Sequence, residues 1–508
     1  MIISGDRAIS YPDIHAHAAR AATGLKALGL ESGAPVAMML RNDFAFFEVS
    51  AGASTLGSPV VPINWHLKAE EVSYILADCG AGILVCHADL WPQIRDGVPA
   101  HMKVLIVATP PEIADAFGVS QEAAAAPAGM TDWDQWRDTH APWTGPLGRM
   151  SPMFYTSGTT GRPKGVRRGQ MRPEQLAAAE RVSALAYGIK PDDNQVVLMN
   201  GPMYHSAPNS YGMLAFRHGC TIVLEPRFDP EDLLQLVERH GITHMHAVPT
   251  MFVRLLRLPE AVRKRHDISS LRFVIHGAAP CPVDVKRAMI DWWGLVINEY
   301  LGSTETGIPV WHSAAEALQK PGTVGHAIEG GIVKIFRPDG TLCDVNEPGE
   351  IFMRQTAISD FDYHGNAAAR AEAGRDGLVS VGDVGYLDAD GYLFLCDRKR
   401  DMVISGGVNI YPAEIENALI GMDGVRDCAV FGVPDDEFGE RLFACIEPEP
   451  NAALSPAAVQ AFLRGRLANF KVPKDIQFLD AMPREATGKI FKRKLRDLHT
   501  EGKLRAIA

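Results

Sequence analysis

The sequence predicts an α/β fold: layers of mostly parallel sheet, a small antiparallel unit after them, and an α+β region at the C-terminal end. Short β-branched runs alternate with helix-length amphipathic segments from residue 34 to residue 277, the pattern of parallel strands joined by helical crossovers. Around residues 330–398 the texture changes to paired runs with Asp-Gly between them. At 508 residues the chain exceeds what one hydrophobic core supports and divides into two or more domains.

In chain order, the expected buried strands are "APVAMML" (34–40), "AGILVC" (81–86), "KVLIVA" (103–108), "QVVLMN" (195–200), "TIVLE" (221–225) and "RFVIHG" (272–277). The segment "DPEDLLQLVERHG" (229–241) reads as a helix, with Pro near its start and Gly at its end. "GIVKIFRPDGTL" and "GYLDADGYLFLCDR" read as hairpins turning at Asp-Gly. A domain boundary is expected near Lys399–Arg400, giving domains 1–398 and 399–508.

Apolar residues make up 46% of the chain and charged residues 22%, the balance of a globular protein. The net charge of −11 argues against broad binding to nucleic acid or to an anionic membrane. No run approaches the ~20 apolar residues of a membrane span, and "MIISGDRAIS" lacks the basic and apolar regions of a signal peptide. The eight cysteines form no CxxC pair and are expected to be reduced in a cytoplasmic protein.

"MFYTSGTTGRPKGVRR" (153–168) concentrates glycines, hydroxyls and a lysine. A Walker A loop needs a second glycine where Pro163 stands, so the stretch is not one. Its ingredients still suit a phosphate: glycines admit backbone N–H groups, hydroxyls donate and Lys164 adds charge. A plain surface turn would need neither the Tyr-Thr pair before the glycines nor the Pro-Lys-Gly after them.

Further stretches follow in order: "HGAAPCP" from His276, "NEYLGSTETG" from Asn298, "VGDVGYLDADGYLFLCDRKRDMVISGGVNIYP" from Val381, and "PREATGKIFKRKLR" from Pro483. Together with the first stretch, and across most of the chain, they resemble the adenylate-forming (AMP-binding) superfamily, in its acyl-CoA synthetase and fatty-acid–CoA ligase branch. The resemblance implies a large N-terminal adenylation domain of two α/β sheet layers with a small β-barrel-like unit. A small mobile C-terminal domain would follow. It implies ATP, Mg²⁺ and coenzyme A as cofactor and substrates. A carboxylate would be joined to AMP with release of pyrophosphate, and a thiol would then displace AMP.

By this resemblance, Ser157, Gly158, Thr159, Thr160, Gly161 and Lys164 would hold the β- and γ-phosphates. Thr156 and Glu305 would place Mg²⁺, and Thr304 would donate to the α-phosphate. Gly277, Ala278, Ala279, Glu299, Leu301 and Gly302 would border the nucleotide. Asp383 and Arg398 would take the ribose. Two positions depart from the family: Leu301 stands where a stacking Tyr is usual, with Tyr300 one place earlier, and Val381 stands where Thr is usual. Lys489, in "ATGKI", would stabilise charge at the reacting phosphate. Arg400 would be the hinge about which the small domain turns, bringing Gly406 and Gly407 to line a pantetheine tunnel.

The acid would lie against "GPMYHSAPNSYG" (201–212), with His205 as gate, Tyr204 and Ser206 beside it, and Gly277, Gly302 and Ser303 opposite. The small Ser206, Ala207, Asn209 and Ser210 suggest room for a medium-to-long or bulky apolar acid. His244 and His246 share a strand face, but no third metal ligand accompanies them, and they read as core or pocket lining. The expected activity is an ATP-dependent acyl-CoA ligase. An aryl-acid–CoA ligase and an enzyme loading a separate carrier protein are the alternatives. The expected partners are small molecules, and a homodimer is left open.

Overall fold

The structure is a computed structural model, and it describes residues 1–156, 163–191, 193–398, 401–405, 408–435, 438–484 and 490–504. Ser157, Gly158, Thr159, Thr160, Gly161, Arg400, Gly406, Gly407 and Lys489 lie outside the described residues, as does the side chain of Arg398.

Two sheets form the N-terminal part. One is parallel, in the order Val60–Pro62, Val36–Met39, Ile83–His87, Lys103–Val107, Thr131–Asp132. The larger contains a parallel block that includes Thr221–Leu224, Val196–Met199, His244–Ala247, Phe273–His276 and Ile297–Ser303. The run of β-branched residues in these strands follows from burial on both faces. Val197 and Met199 point into the core that joins the two sheets, whereas Leu198 points into the core under the helices Pro230–His240, Pro249–Leu256 and Val283–Trp293. The helix Pro230–His240 forms as its ends dictate. The Asp229 carboxylate accepts from the N–H groups of Glu231 and Asp232, and Gly241 closes the other end at φ 60°.

The antiparallel strands are hydrogen-bonded onto this sheet. Gly307–His312 and Thr323–Ala327 continue it, followed by Tyr392–Arg398, Asp383–Leu387 and Gly349–Gln355. The hairpin expected in "GYLDADGYLFLCDR" is present, with Leu387 opposite Leu393. In "GIVKIFRPDGTL" the chain also turns back at Asp339-Gly340, with Phe336 opposite Leu342 and backbone bonds from Arg337 N–H to the Thr341 carbonyl and from Cys343 N–H to the Ile335 carbonyl, but the returning arm is short. The longer pairing of Gly331–Phe336 is with Gly349–Gln355, Ile335 opposite Ile351. That register puts Ile335, Ile351 and Met353 into one core cluster, which a short hairpin could not assemble.

A small three-stranded antiparallel sheet, in the order Phe361–Tyr363, Lys164–Arg168, Phe154–Thr156, stands apart from the large one. The C-terminal residues build their own five-stranded sheet around the long pair Val425–Asp435 and Gly439–Pro448. Val430, Ala444 and Ile446 face one core there, and Phe431, Phe443 and Cys445 the other. No helix among the described residues is long and apolar enough to cross a membrane.

Candidate active site

The parallel strands of the large sheet all end on the same side, where a doubly wound fold binds its ligands. The segments that follow Met199, His276 and Ser303 carry the predicted site residues: Tyr204 to Ser206, Gly277 to Ala279, and Thr304 with Glu305.

The phosphate stretch is held at both ends. Thr156 pairs with Lys164, Tyr155 with Gly165 and Phe154 with Val166, so the two described ends of the stretch are adjacent antiparallel strands. Tyr155 donates its hydroxyl to Asp78 at 2.5 Å, and Tyr74 donates to the Pro163 carbonyl at 3.1 Å, fixing both ends to the helix Ala69–Cys79. Lys164 and Arg168 lie on one face of their strand. The Lys164 ammonium stands 5.0 Å from the centre of the Tyr363 ring.

Glu305 is the meeting point. Its carboxylate accepts from Thr156 Oγ1 at 3.3 Å and from the Tyr363 hydroxyl at 3.2 Å. Thr304 Oγ1 is 2.7 Å from Ser206 Oγ. Behind the pair, Arg168 donates to the carbonyls of Thr304 at 2.7 Å, Glu305 at 2.9 Å and Ser359 at 2.5 Å. Burial pulls the Arg168 guanidinium down to about 10, which still leaves it charged at neutral pH. Arg168 and Tyr363 were not foreseen. The alternation Lys164, Val166, Arg168 was the available signal for the first. Nothing local marked the second, which reaches the site only through pairing of Phe361–Tyr363 with Lys164–Arg168.

A hard divalent cation such as Mg²⁺ takes oxygen ligands, usually a carboxylate or two supplemented by substrate phosphates. Thr156 Oγ1 and the half-engaged carboxylate of Glu305 offer the protein's share of that donor set, leaving the rest to the phosphates, so the residues present fit the ion.

Ser303 to Thr306 form a tight turn. Ser303 Oγ accepts from the N–H groups of Glu305 and Thr306 at 3.2 and 3.1 Å, and Thr306 Oγ1 accepts from Ser303 N–H at 3.0 Å. The Ser303 hydroxyl is therefore committed to the turn and is not free for the acid. Gly277 and Gly302 leave no open space beside them. A Cβ on Gly302 would come within 2.1 Å of the Gly307 carbonyl oxygen, and one on Gly277 within 2.7 Å of the Tyr300 ring. Both are glycine because strand packing fills the place of the side chain. Next to Gly277, Ala278 adopts φ 68°, a strained conformation for a residue with a Cβ, of the kind found at ligand clamps. Ala279 is half-buried beside it, and Leu301 packs against the antiparallel core.

Glu299 is a correction of another kind. Its side chain is buried, ion-paired to Lys286 and within 2.8 Å of His312 Nε2. Burial opposes its charge, but Lys286 and the hydrogen bond from His312 prevail and hold the carboxyl down at about 2. The Glu299 carboxylate belongs to this network and is not available to a nucleotide. Asp383 is buried directly across the strand pair from Arg398.

On the acid side, Asn42 clamps the turn before His205. Its amide donates to the Gly201 carbonyl at 2.9 Å and its oxygen accepts from Met203 N–H at 2.9 Å. Tyr204 stands edge-on to Trp65 at 5.9 Å, and the His205 ring lies 4.3 Å from that of Tyr204. Burial, aided by His66, depresses His205 to about 4, so the imidazole is neutral at pH 7. Of the small residues that follow, Asn209 donates to the Met203 carbonyl, Ala207 packs on the core and Ser210 is exposed. His244 is 3.1 Å from Gln195, and His246 is 3.0 Å from the Tyr300 hydroxyl.

Residues 1–360 match the family described as AMP-binding enzyme, and residues 414–489 match the AMP-binding enzyme C-terminal domain. The chain is 34% identical over 497 residues to feruloyl-CoA synthase of Amycolatopsis sp, covering 97% of this chain and 94% of that protein. It is 31% identical over 505 residues to fatty acid–[acyl-carrier-protein] ligase ScoC of Streptomyces coeruleorubidus, covering 98% and 92%. Among solved structures, o-succinylbenzoate CoA synthetase (MenE) from Bacillus subtilis, in complex with the acyl-adenylate intermediate OSB-AMP, superposes with a TM-score of 0.81. That structure is 26% identical and covers 100% of this chain and 96% of its own. The chain belongs to the AMP-binding enzyme family. It is an AMP-forming acid–thiol ligase of the acyl-CoA synthetase class.

Proposed function

We propose that this enzyme activates a bulky, largely apolar carboxylic acid with ATP and transfers the acyl group from AMP to coenzyme A. The observation that carries this reading is the convergence of three distant segments: Ser206 meets Thr304, and Thr156 meets Glu305. The aromatic wall of Trp65, Tyr204 and His205 supports an apolar acid of some width.

In the first half-reaction a carboxylate oxygen forms a bond to the α-phosphorus as the bond to pyrophosphate breaks. Thr304, oriented by Ser206, donates to the α-phosphate. Lys164 offsets the charge on the departing pyrophosphate. Thr156 and Glu305 would hold Mg²⁺, which when bound would neutralise phosphate charge as a Lewis acid. Neutral His205 sits beside the carboxylate without adding a competing cation. Asp383 accepts from the ribose hydroxyls, with Arg398 beside it. In the second half-reaction the thiol adds to the acyl carbonyl and AMP leaves. Lys489 serves the first step, and rotation about Arg400 brings Gly406 and Gly407 to the thiol's path for the second.

A pyrophosphate-release screen over acids, run with and without CoA, tests the reading. Release should depend on the acid, and thioester should appear only with CoA. Lys489→Ala should lose about two decades in adenylation and far less in thioester formation from a pre-made acyl-adenylate. Equal loss in both would refute the role given to Lys489, and thioester on a phosphopantetheinylated carrier but not on CoA would change the acceptor.

A further inference from the structure

The helix Ser206–Arg217 begins at the acid gate and carries an anomaly. Tyr211 is fully buried, yet its hydroxyl has no hydrogen-bond partner among the described residues. Tyr204 Oη and His205 Nε2, just before the helix begins, are buried and unpartnered in the same way. A buried hydroxyl without a partner is destabilising, and phenylalanine would fill the same space without that penalty.

The surroundings of Tyr211 say what the hydroxyl serves. Its ring lies 5.5 Å from Tyr187, edge-on, and 5.9 Å from His246. His246 Nε2 is 3.0 Å from the Tyr300 hydroxyl, and Tyr300 meets Tyr187 edge-on at 6.2 Å. The Tyr300 ring is also the group that occupies the missing Cβ position of Gly277. The cluster therefore fills the space between the helix Ser206–Arg217 and the strands His244–Ala247 and Ile297–Ser303, next to Gly277. Tyr300 and His246 satisfy each other, which leaves Tyr211 with the unpaired hydroxyl. Beyond it, Leu214 and Ala215 are fully packed and offer no channel for a long tail.

We propose that the acyl pocket ends on the Tyr187–Tyr211–His246–Tyr300 cluster, where the Tyr211 hydroxyl hydrogen-bonds an oxygen at the far end of a compact, ring-bearing acid. The inference rests on the acid-activation reading above and narrows its substrate class. A phenol both donates and accepts, so the partner oxygen is a hydroxyl, an ether or an oxo group. A saturated fatty tail has no atom to pair with it.

The test is ATP–pyrophosphate exchange with matched acids that differ only in the distal oxygen. The pairs are 3-phenylpropanoate against 3-(4-hydroxyphenyl)propanoate, and 2-naphthoate against 6-hydroxy-2-naphthoate, with decanoate as the tail control. The wild type should prefer the oxygenated member of at least one pair by about tenfold or more in kcat/KM. Tyr211→Phe should bring that ratio close to one. Without ligand, Tyr211→Phe should melt at or above the wild-type temperature, because the hydroxyl it removes is unpaired. Equal rates within both pairs, a ratio that survives Tyr211→Phe, decanoate as the best acid, or a lower melting temperature in the variant would each overturn the proposal. Absence of exchange with every acid would overturn the acid-activation reading as well, whereas exchange without discrimination overturns this inference alone.

Discussion

Ser206 Oγ and Thr304 Oγ1 lie 2.7 Å apart across 98 residues of sequence. The contact ties the start of the acid-side helix to the residue placed at the α-phosphate, so the position of the acid and the aim of the phosphate donor are coupled. Thr304→Val should lower acid-dependent pyrophosphate exchange about 10²-fold, the usual loss for one aimed donor. Ser206→Ala should lower it less, since it frees the Thr304 rotor without removing it. A larger loss in Ser206→Ala than in Thr304→Val would reverse the assignment.

Glu305→Gln keeps the shape of the side chain and can still accept from Thr156 and Tyr363, but it removes the charge from the proposed metal position. Half-saturation for Mg²⁺ in pyrophosphate release should rise about tenfold or more. An unchanged magnesium titration with reduced kcat would move the metal elsewhere.

Glu299→Ala should destabilise the fold by about 3–5 kcal/mol, because Lys286 would be left buried and charged without its partner. Urea unfolding measures this directly. The double variant Glu299→Leu with Lys286→Met should recover much of the loss, as apolar replacement of a whole buried pair often does.

The histidines set the acid limit. Burial depresses His246 to about 4 and His276 to about 3, against an ordinary value of 6.5. The folded protein keeps them neutral where the unfolded chain binds protons, so stability rises with pH across this window and is lost as pH falls below about 6.5. Each contributes a slope of up to about 1.4 kcal/mol per pH unit between its folded and unfolded values. His276 faces Phe252, Glu299, Lys286, His312 and His246 and has no hydrogen-bond partner for either nitrogen among the described residues. His276→Leu should therefore flatten the melting-temperature profile between pH 6.5 and 4.5. An unchanged profile would show that His276 is already protonated in the folded state.

Most of the architecture was legible because strand and helix periodicities are local. The six predicted strands all appear, each trimmed or shifted by a residue or two, and the helix after Asp229 stops at its glycine. The longest pairing of one strand was not legible. "GIVKIFRPDGTL" turns at Asp-Gly as its composition implies, but burial of Ile335 against Ile351 also sets Gly331–Phe336 against the distant Gly349–Gln355. At the site, four residues singled out by their motif positions meet in pairs, Thr156 with Glu305 and Ser206 with Thr304. Side-chain direction was not legible: Glu299 turns toward Lys286, Ser303 toward its own backbone, and the space beside Gly277 is taken by Tyr300. Arg168 and Tyr363 reach the phosphate side only after strands nearly 200 residues apart have paired, with Phe361 opposite Arg168.

Asn42 has a consequence for how the molecule assembles. It belongs to the first sheet's connection, yet both its amide atoms hold the turn at Gly201 and Met203, 159 and 161 residues later in the chain. A growing polypeptide cannot shape the acid gate locally as that turn leaves the ribosome, since the turn lacks its clamp until the N-terminal layer has folded and docked. Contacts of such sequence separation slow folding and lengthen the exposure of unfinished intermediates. The gate is thus among the late features to form, and a chain lacking residues 1–42 would carry every phosphate-side motif while leaving the acid side without its brace.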